Sequence, residues 1–202
     1  NAAAVRLVYK ELQEAVRKKV PDMKAFSVSI EPMYTDPFGR ECLVGVNRDP
    51  VFGTTIVFGA GGVKVEVLQD TAIALPPLNT FLADKLINQT KIAAMLGEFR
   101  DMPAVNRDAL IQVLLRVSEM VCELPEIESL DINPLVVDER GVLALDVRIV
   151  VAHHVKTIHR YDHMAIHPYP THLTRQEQLA DGTDIIIRPI RPEDALIEQV
   201  FF

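Results

Sequence analysis

Asp131, Asn133 and Asp146 are the residues whose types and spacing point to chemistry. They lie in two β-rich segments, Leu130-Asp-Ile-Asn-Pro-Leu-Val-Val137 and Gly141-Val-Leu-Ala-Leu-Asp-Val147. The polar stretch Asp138-Glu139-Arg140-Gly141 between them predicts a turn, and hence a hairpin. Strand side chains alternate between faces, so Asp131 and Asn133 are expected to point the same way. Asp146 joins them from the second strand. Hard oxygen ligands on a rigid scaffold suit Mg²⁺, which keeps positions free for the phosphates of a nucleotide. The pattern predicts part of a nucleotide-dependent enzyme. The opposing interpretation is a structural one, in which Asn133-Pro134 makes a turn and Asp146 caps a strand end.

A second chemical group precedes it. Arg48 and Asp49 open Arg-Asp-Pro-Val-Phe-Gly. An arginine facing a cleft would stabilise a transferring phosphoryl group, which makes Arg48 a candidate catalytic residue. A turn held by Pro50 and Gly53 is an equal alternative. Gly59, Gly61 and Gly62 form a glycine turn with no helix after it, and therefore no helix N-terminus to bind an anion. Glu66, on the following segment, is expected either to face the cleft or to make a salt bridge. All six histidines lie between His153 and His172. Structural zinc usually combines His with closely spaced Cys, and no Cys is near, so a linker or extended arm is expected there.

These residues need elements to position them. Val5, Val8, Leu12 and Val16 recur at helical spacing within residues 2–20, ahead of Pro21. Segments 25–33, 41–47, 54–58 and 63–68 are expected as strands of a meander with glycine turns. Asn79 predicts the cap of a helix running to about Leu96, closed by Gly97. Asn106 predicts the cap of a second helix, with Leu110, Val113, Leu114, Val117 and Val121 on one face. The fold class is α+β, with residues 1–152 as one unit and 153–180 as a linker. After Asp181-Gly182-Thr183, a strand at 184–188 and a helix start at Pro192-Glu193-Asp194 open a further domain across 181–202.

Composition narrows the function classes. The chain has 202 residues, 49% of them hydrophobic, enough for a sizeable core. A net charge of −7 argues against a nucleic-acid groove. Cys42 and Cys122 stand in apolar contexts and are expected as reduced core thiols of a cytoplasmic protein. No apolar run is long enough for a membrane-spanning helix. Both ends look cut, and a fragment of a larger polypeptide is expected.

The block Glu41-Cys-Leu-Val-Gly-Val-Asn-Arg-Asp-Pro-Val-Phe-Gly53, then Phe58-Gly-Ala-Gly-Gly-Val-Lys-Val-Glu-Val-Leu-Gln-Asp70 and Ala74-Leu-Pro-Pro-Leu78, adds to the Asp-Ile-Asn-Pro-Leu and Ala-Leu-Asp motifs. Together they resemble the ATP-grasp domain of ADP-forming acyl-CoA synthetases, with succinyl-CoA synthetase β chains as more distant relatives. The resemblance covers roughly residues 1–152. The tail Leu179-Ala-Asp-Gly-Thr-Asp-Ile-Ile-Ile-Arg-Pro-Ile-Arg-Pro-Glu-Asp-Ala195 resembles the first strand and helix start of a GNAT-type N-acetyltransferase. The combination is similar to bacterial protein lysine acetyltransferases of the Pat type.

The resemblance implies the C-terminal part of an ATP-grasp fold, a mixed or antiparallel sheet with flanking helices, followed by the start of a GNAT domain. It implies Mg²⁺ and ATP as cofactors, with CoA or acetyl-CoA bound by other domains of the parent. Asn133 and Asp146 match the family's Mg²⁺ pair, and Asp131 stands where an acidic residue holds a metal-bound water. Glu31 and Met33 fall at the adenine-binding hinge, and Gly61 and Gly62 at the family's glycine turn. Implied partners are nucleotide, acyl-CoA, CoA-binding and phosphohistidine domains of the same polypeptide, and acetyltransferase target proteins, in a homo-oligomer without nucleic acid or membrane. The implied function is acyl-CoA ligation through phosphoryl transfer. Ala74, where many such synthetases carry Arg, suggests the alternative: a degenerate synthetase region that regulates an acetyltransferase. This piece alone is expected to be inactive, because the nucleotide-binding lysine would precede Asn1.

Overall fold

In a computed structural model of the chain, residues 2–22, 26–62, 69–98, 100–153 and 161–201 are described. They belong to two compact units, Asn1–Pro37 and Phe38–Phe202. The first unit holds α1 (Ala2–Lys19), whose last turn carries Arg17, Lys18 and Lys19 against the negative end of the helix dipole. Its Val5, Val8 and Leu12 form the expected apolar stripe, and all three are exposed. Residues 26–33, expected as part of a strand, have no regular secondary structure. A strand needs a hydrogen-bonded neighbour, and Pro32 has no amide to offer one. Residues 63–68, with Glu66, lie outside the described residues.

The second unit is built on a sheet of β1 (Arg40–Asp49), β2 (Gly53–Ala60), β3 (Thr71–Ala74), β4 (Ile127–Val137), β5 (Val142–Ala144) and β6 (Val147–Val151). The order is β3-β2-β1-β4-β5, with β6 also paired to β4, and every pairing is antiparallel. β1 shows the alternation that specifies its register: Cys42, Val44 and Val46 are fully buried on one face. Ile56 and Phe58 of β2, and Leu130 and Ile132 of β4, extend that face. It is covered by α2 (Thr80–Asn88) and α4 (Arg107–Glu123), which contribute Leu86, Ile87, Leu110, Leu114, Val117 and Val121 to the core. Asn79 Oδ1 accepts from the Leu82 amide at 2.8 Å, and Asn106 Oδ1 from Ala109 at 3.0 Å, so both expected caps are present.

The helix expected to run unbroken to Leu96 is interrupted. α2 stops at Asn88, and α3 (Ala93–Leu96) is a separate turn. The buried Asp70 carboxylate accepts from the Lys91 and Ile92 amides at 2.6 and 2.8 Å. Those amides would otherwise bond to carbonyls one turn back, so Asp70 ends one helix and caps the next.

The stretch 153–180, expected as a linker or arm, contains a 3₁₀ turn (Thr171–Leu173) and β7 (Arg175–Gln178). β7 pairs with β8 (Asp184–Ile187), the strand expected near 184–188. A 3₁₀ turn at Pro192–Asp194 then leads into α5 (Ala195–Phe201). Residues 161–164 are pinned to the sheet unit. Met164 bridges Gly53, and His163 Nε2 donates to the Val121 carbonyl at 3.0 Å. No helix among the described residues is long and apolar enough to cross a membrane.

Candidate functional site

The hairpin turn forms as expected: Asp138 Oδ1 accepts from the Arg140 and Gly141 amides at 2.8 and 3.0 Å. Beyond it, β4 carries β5 and β6 along its outer edge in one register from Val137 back to Ser129. Leu135 faces Ala144, Ile132 faces Val147, and Asp131 faces Arg148. In the gap between β5 and β6, the Asn133 amide donates to the Asp146 carbonyl at 3.1 Å, and the Leu145 amide to the Pro134 carbonyl at 3.0 Å. Asn133 and Asp146 therefore stand opposite each other where β4 passes the junction of β5 and β6. Asp131 is the diagonal neighbour of Asp146, at roughly 7–8 Å.

On its other edge β4 departs from regular pairing. Val44 faces Ile132 and Cys42 faces Leu135, so Leu43 alone opposes both Asn133 and Pro134. This β-bulge shifts the alternation at Asn133-Pro134, whose peptide bond is cis, and leaves Asn133 on the face of Asp131. Asn133 Oδ1 accepts from the Gly62 amide at 2.8 Å, 71 residues away in sequence. Gly62 has φ +76°, and the Cβ of any other residue there would overlap the Glu41 carboxylate. Gly61 donates to the Glu41 carbonyl at 2.8 Å and packs against the Cys42 carbonyl, with no room for a Cβ. The structure thus brings Asn133, Asp146, Gly61 and Gly62 together on one sheet face, away from the helices. Asp131 stays on that face and lines a cavity of about 370 Å³ with Asn47, Ser129 and Arg148.

The donor set suits a hard cation. Asn133 Oδ1 has a second lone pair after accepting from Gly62, and Asp146, on the facing segment, carries a carboxylate. Among the described residues no group of three or more His, Cys, Asp or Glu side chains is placed to hold a metal. Mg²⁺ does not need one, since it takes one or two protein oxygens and completes its shell with water and phosphate.

Arg48 stands elsewhere. It lies near the other end of β1 from Glu41, and its guanidinium donates to the Pro125 and Ile127 carbonyls at 2.6 and 3.1 Å. The expectation of an arginine facing the site is corrected: its charge is used to hold the loop that enters β4. Asp49 makes the turn that was the alternative, with Oδ1 accepting from Val51 and Phe52 at 2.7 and 2.8 Å. These amides hold its carboxyl below the usual range. Glu31 and Met33 belong to the first unit and are exposed in its irregular stretch, Met33 at 84%. Glu41, which no local signal marks, is set beside Gly62 only by the sheet register.

Comparison with known proteins identifies the family and the fold. Residues 1–151 match the model of the ATP-grasp domain. The β subunit of an ADP-forming acetate–CoA ligase I from Pyrococcus furiosus is 34% identical over 151 residues, covering 75% of this chain and 64% of that protein. A 4-hydroxybutyrate–CoA ligase from Nitrosopumilus maritimus is 32% identical over 151 residues, but only 21% of it is covered. Among solved structures, a Pyrococcus horikoshii protein superposes with a TM-score of 0.69 at 32% identity, over 75% of this chain and 64% of that one. Acetyl-coenzyme A synthetase 1 of Ca. Korarchaeum cryptofilum, in complex with coenzyme A and Mg-AMPPCP, has a TM-score of 0.56 at 35% identity, over 58% and 55%. The antiparallel sheet with its flanking helices, the aligned span and these relatives agree: the chain belongs to the ATP-grasp domain family, in the company of the ADP-forming acyl-CoA synthetases.

Proposed function

We propose that this chain supplies the Mg-ATP-binding face of an ADP-forming acyl-CoA synthetase, with Asn133 and Asp146 as the protein ligands of Mg²⁺. The observation that carries this reading is the direct opposition of Asn133 and Asp146, with the Asn133 oxygen held by Gly62. When bound, the metal offsets charge on nucleotide phosphates during phosphoryl transfer. The chain's own residues hold the geometry. The bulge at Asn133-Pro134 sets the amide oxygen, the Gly62 amide keeps it from rotating, and Asp146 presents its carboxylate from the next strand. Asp131 is the further candidate, through a metal-bound water. Gly61 keeps the turn against β1, and its contribution is to shape. Glu31 and Met33 are proposed to meet adenosine, with the Glu31 carboxylate toward ribose. Arg48 is proposed to act on stability.

The reaction of the whole protein is proposed as joining a carboxylic acid to CoA with ATP converted to ADP and phosphate. Its partners would be acyl-CoA and the CoA-binding and phosphohistidine domains, on the same polypeptide or a partner subunit. The Korarchaeum complex with coenzyme A and Mg-AMPPCP supports this choice of ligands. Calorimetric titration of Mg-ATP into this chain and into Asn133→Ala and Asp146→Ala tests the site. Saturable binding lost in both variants is the expected result; equal binding by all three rejects the assignment.

A second reading concerns residues beyond the matched span. The β7–β8 hairpin, the Pro192–Asp194 turn and α5 support the opening of an N-acetyltransferase domain, which the synthetase region would then regulate. Acetyl transfer from acetyl-CoA to protein lysines by the intact parent protein, altered by ATP, tests it. No transfer under any condition removes that reading.

A further inference from the structure

We infer that Glu41 is an additional carboxylate of the divalent-cation site, delivered by the glycine turn to the Asn133–Asp146 pair; this rests on the Mg-ATP reading above. The argument starts from β1. Arg40 and Cys42 face the helical layer and are buried, so Glu41 between them faces the opposite side, where Asn133 and Asp146 stand. Gly61 closes back onto β1 through its bond to the Glu41 carbonyl. Gly62 then touches both partners. Its amide holds Asn133 Oδ1 at 2.8 Å, and the Glu41 carboxylate fills the space where a Cβ would stand. Standard bond lengths through Gly62 therefore place Glu41 Oε2 within roughly 7.5 Å of Asn133 Oδ1. One Mg²⁺ with ligand bonds of roughly 2.1 Å joins oxygens about 4 Å apart directly and about 7 Å apart through a metal-bound water, so Glu41 is placed to reach the water shell of a cation on Asn133.

Electrostatics favours the same conclusion. Among the described residues no Lys or Arg forms an ion pair with Glu41 or Asp146, although Lys91 lines one cavity with Glu41, so both carboxylates stand there without a paired cation. A divalent cation balances that charge. The glycine at 62 then has a second role beyond its backbone angle: a side chain there would expel Glu41 from the site. The carboxylate belongs to the cation site because of β1, a strand that the Asp-Ile-Asn-Pro motif does not include.

Mn²⁺ alone is the probe, with binding to this chain followed by electron paramagnetic resonance and folding checked by circular dichroism. Glu41→Gln is expected to weaken Mn²⁺ by about tenfold while the fold is kept. Gly62→Ala is expected to weaken it as well, and combining the two to add little, because both remove the same contact. Should Glu41→Gln bind as the wild type does while Asn133→Ala does not, Glu41 is excluded and the Asn133–Asp146 site stands. If neither variant differs from wild type, or wild type fails to bind, the cation site and this inference fall together.

Discussion

The Gly62 amide donates to Asn133 Oδ1 at 2.8 Å, joining the β2 turn to the bulge in β4 across 71 residues. One hydrogen bond thus ties two motifs that lie far apart in the sequence. Replacing Gly61, the neighbour packed on the Cys42 carbonyl, tests this link from the structural side. Gly61→Ala is expected to push the turn off β1, lowering stability by about 1–3 kcal/mol. Urea unfolding measures that loss, and Mg-ATP affinity should fall with it.

Arg48 separates a structural arginine from a catalytic one. Its guanidinium is committed to the Pro125 and Ile127 carbonyls. One guanidinium nitrogen makes both bonds, so Arg48→Ala, which leaves the two carbonyls without their donor, is expected to cost about 1–3 kcal/mol of stability. Nucleotide affinity should not change. A large loss of Mg-ATP binding in a well-folded variant would return Arg48 to the site.

Asp70 can be tested by hydrogen exchange. Asp70→Ala removes both acceptors for the Lys91 and Ile92 amides. The expected cost is about 1–2 kcal/mol, with faster exchange at those two amides and around α3. Unchanged protection there would mean that another group ends α2.

Burial pushes the Cys42 thiol up to about 12. Burial, with Glu123 adding to it, raises Cys122 to about 11. In the unfolded chain a thiol ionises near ~8.5. The folded state therefore holds these protons longer, and their contribution is fully present below that pH. It is lost as pH rises from there toward 11 and 12. Denaturant midpoints should fall across that range, and less steeply in Cys42→Ala once its own baseline is subtracted. Alkylation at neutral pH should be slow until the protein unfolds.

At the acidic end the Arg188–Asp194 pair gives the opposite sign. The Arg188 guanidinium, bonded to both Asp194 oxygens, and then the Arg191 amide hold the Asp194 carboxyl down at about 2. Its contribution is present above the usual carboxylate value and is lost as pH falls toward 2. Carbon-13 titration of the Asp194 carboxyl checks this, and Arg188→Gln should return the midpoint toward ordinary values.

Much of the fold could be read locally, because its signals are local. Asn79 and Asn106 cap helices using their own next turn, and the apolar stripe of α4 repeats over consecutive residues. Asp131, Asn133 and Asp146 were legible for the same reason: they flank one turn, and their opposition follows from a hairpin register. Three results depended on contacts between distant segments. Asp70 breaks the helix by holding the Lys91 amide from 21 residues away, a distance that no local propensity encodes. Arg48 faces carbonyls more than 75 residues along the chain, so its sequence neighbours gave no sign of its use. Glu41 reaches Gly62, and through it Asn133, because β1 lies between β2 and β4. Sequence alone determined which residues carry oxygen, charge and conformational freedom. Tertiary structure decided which of them share a face, because strand pairing sets distances between residues that the covalent chain leaves far apart.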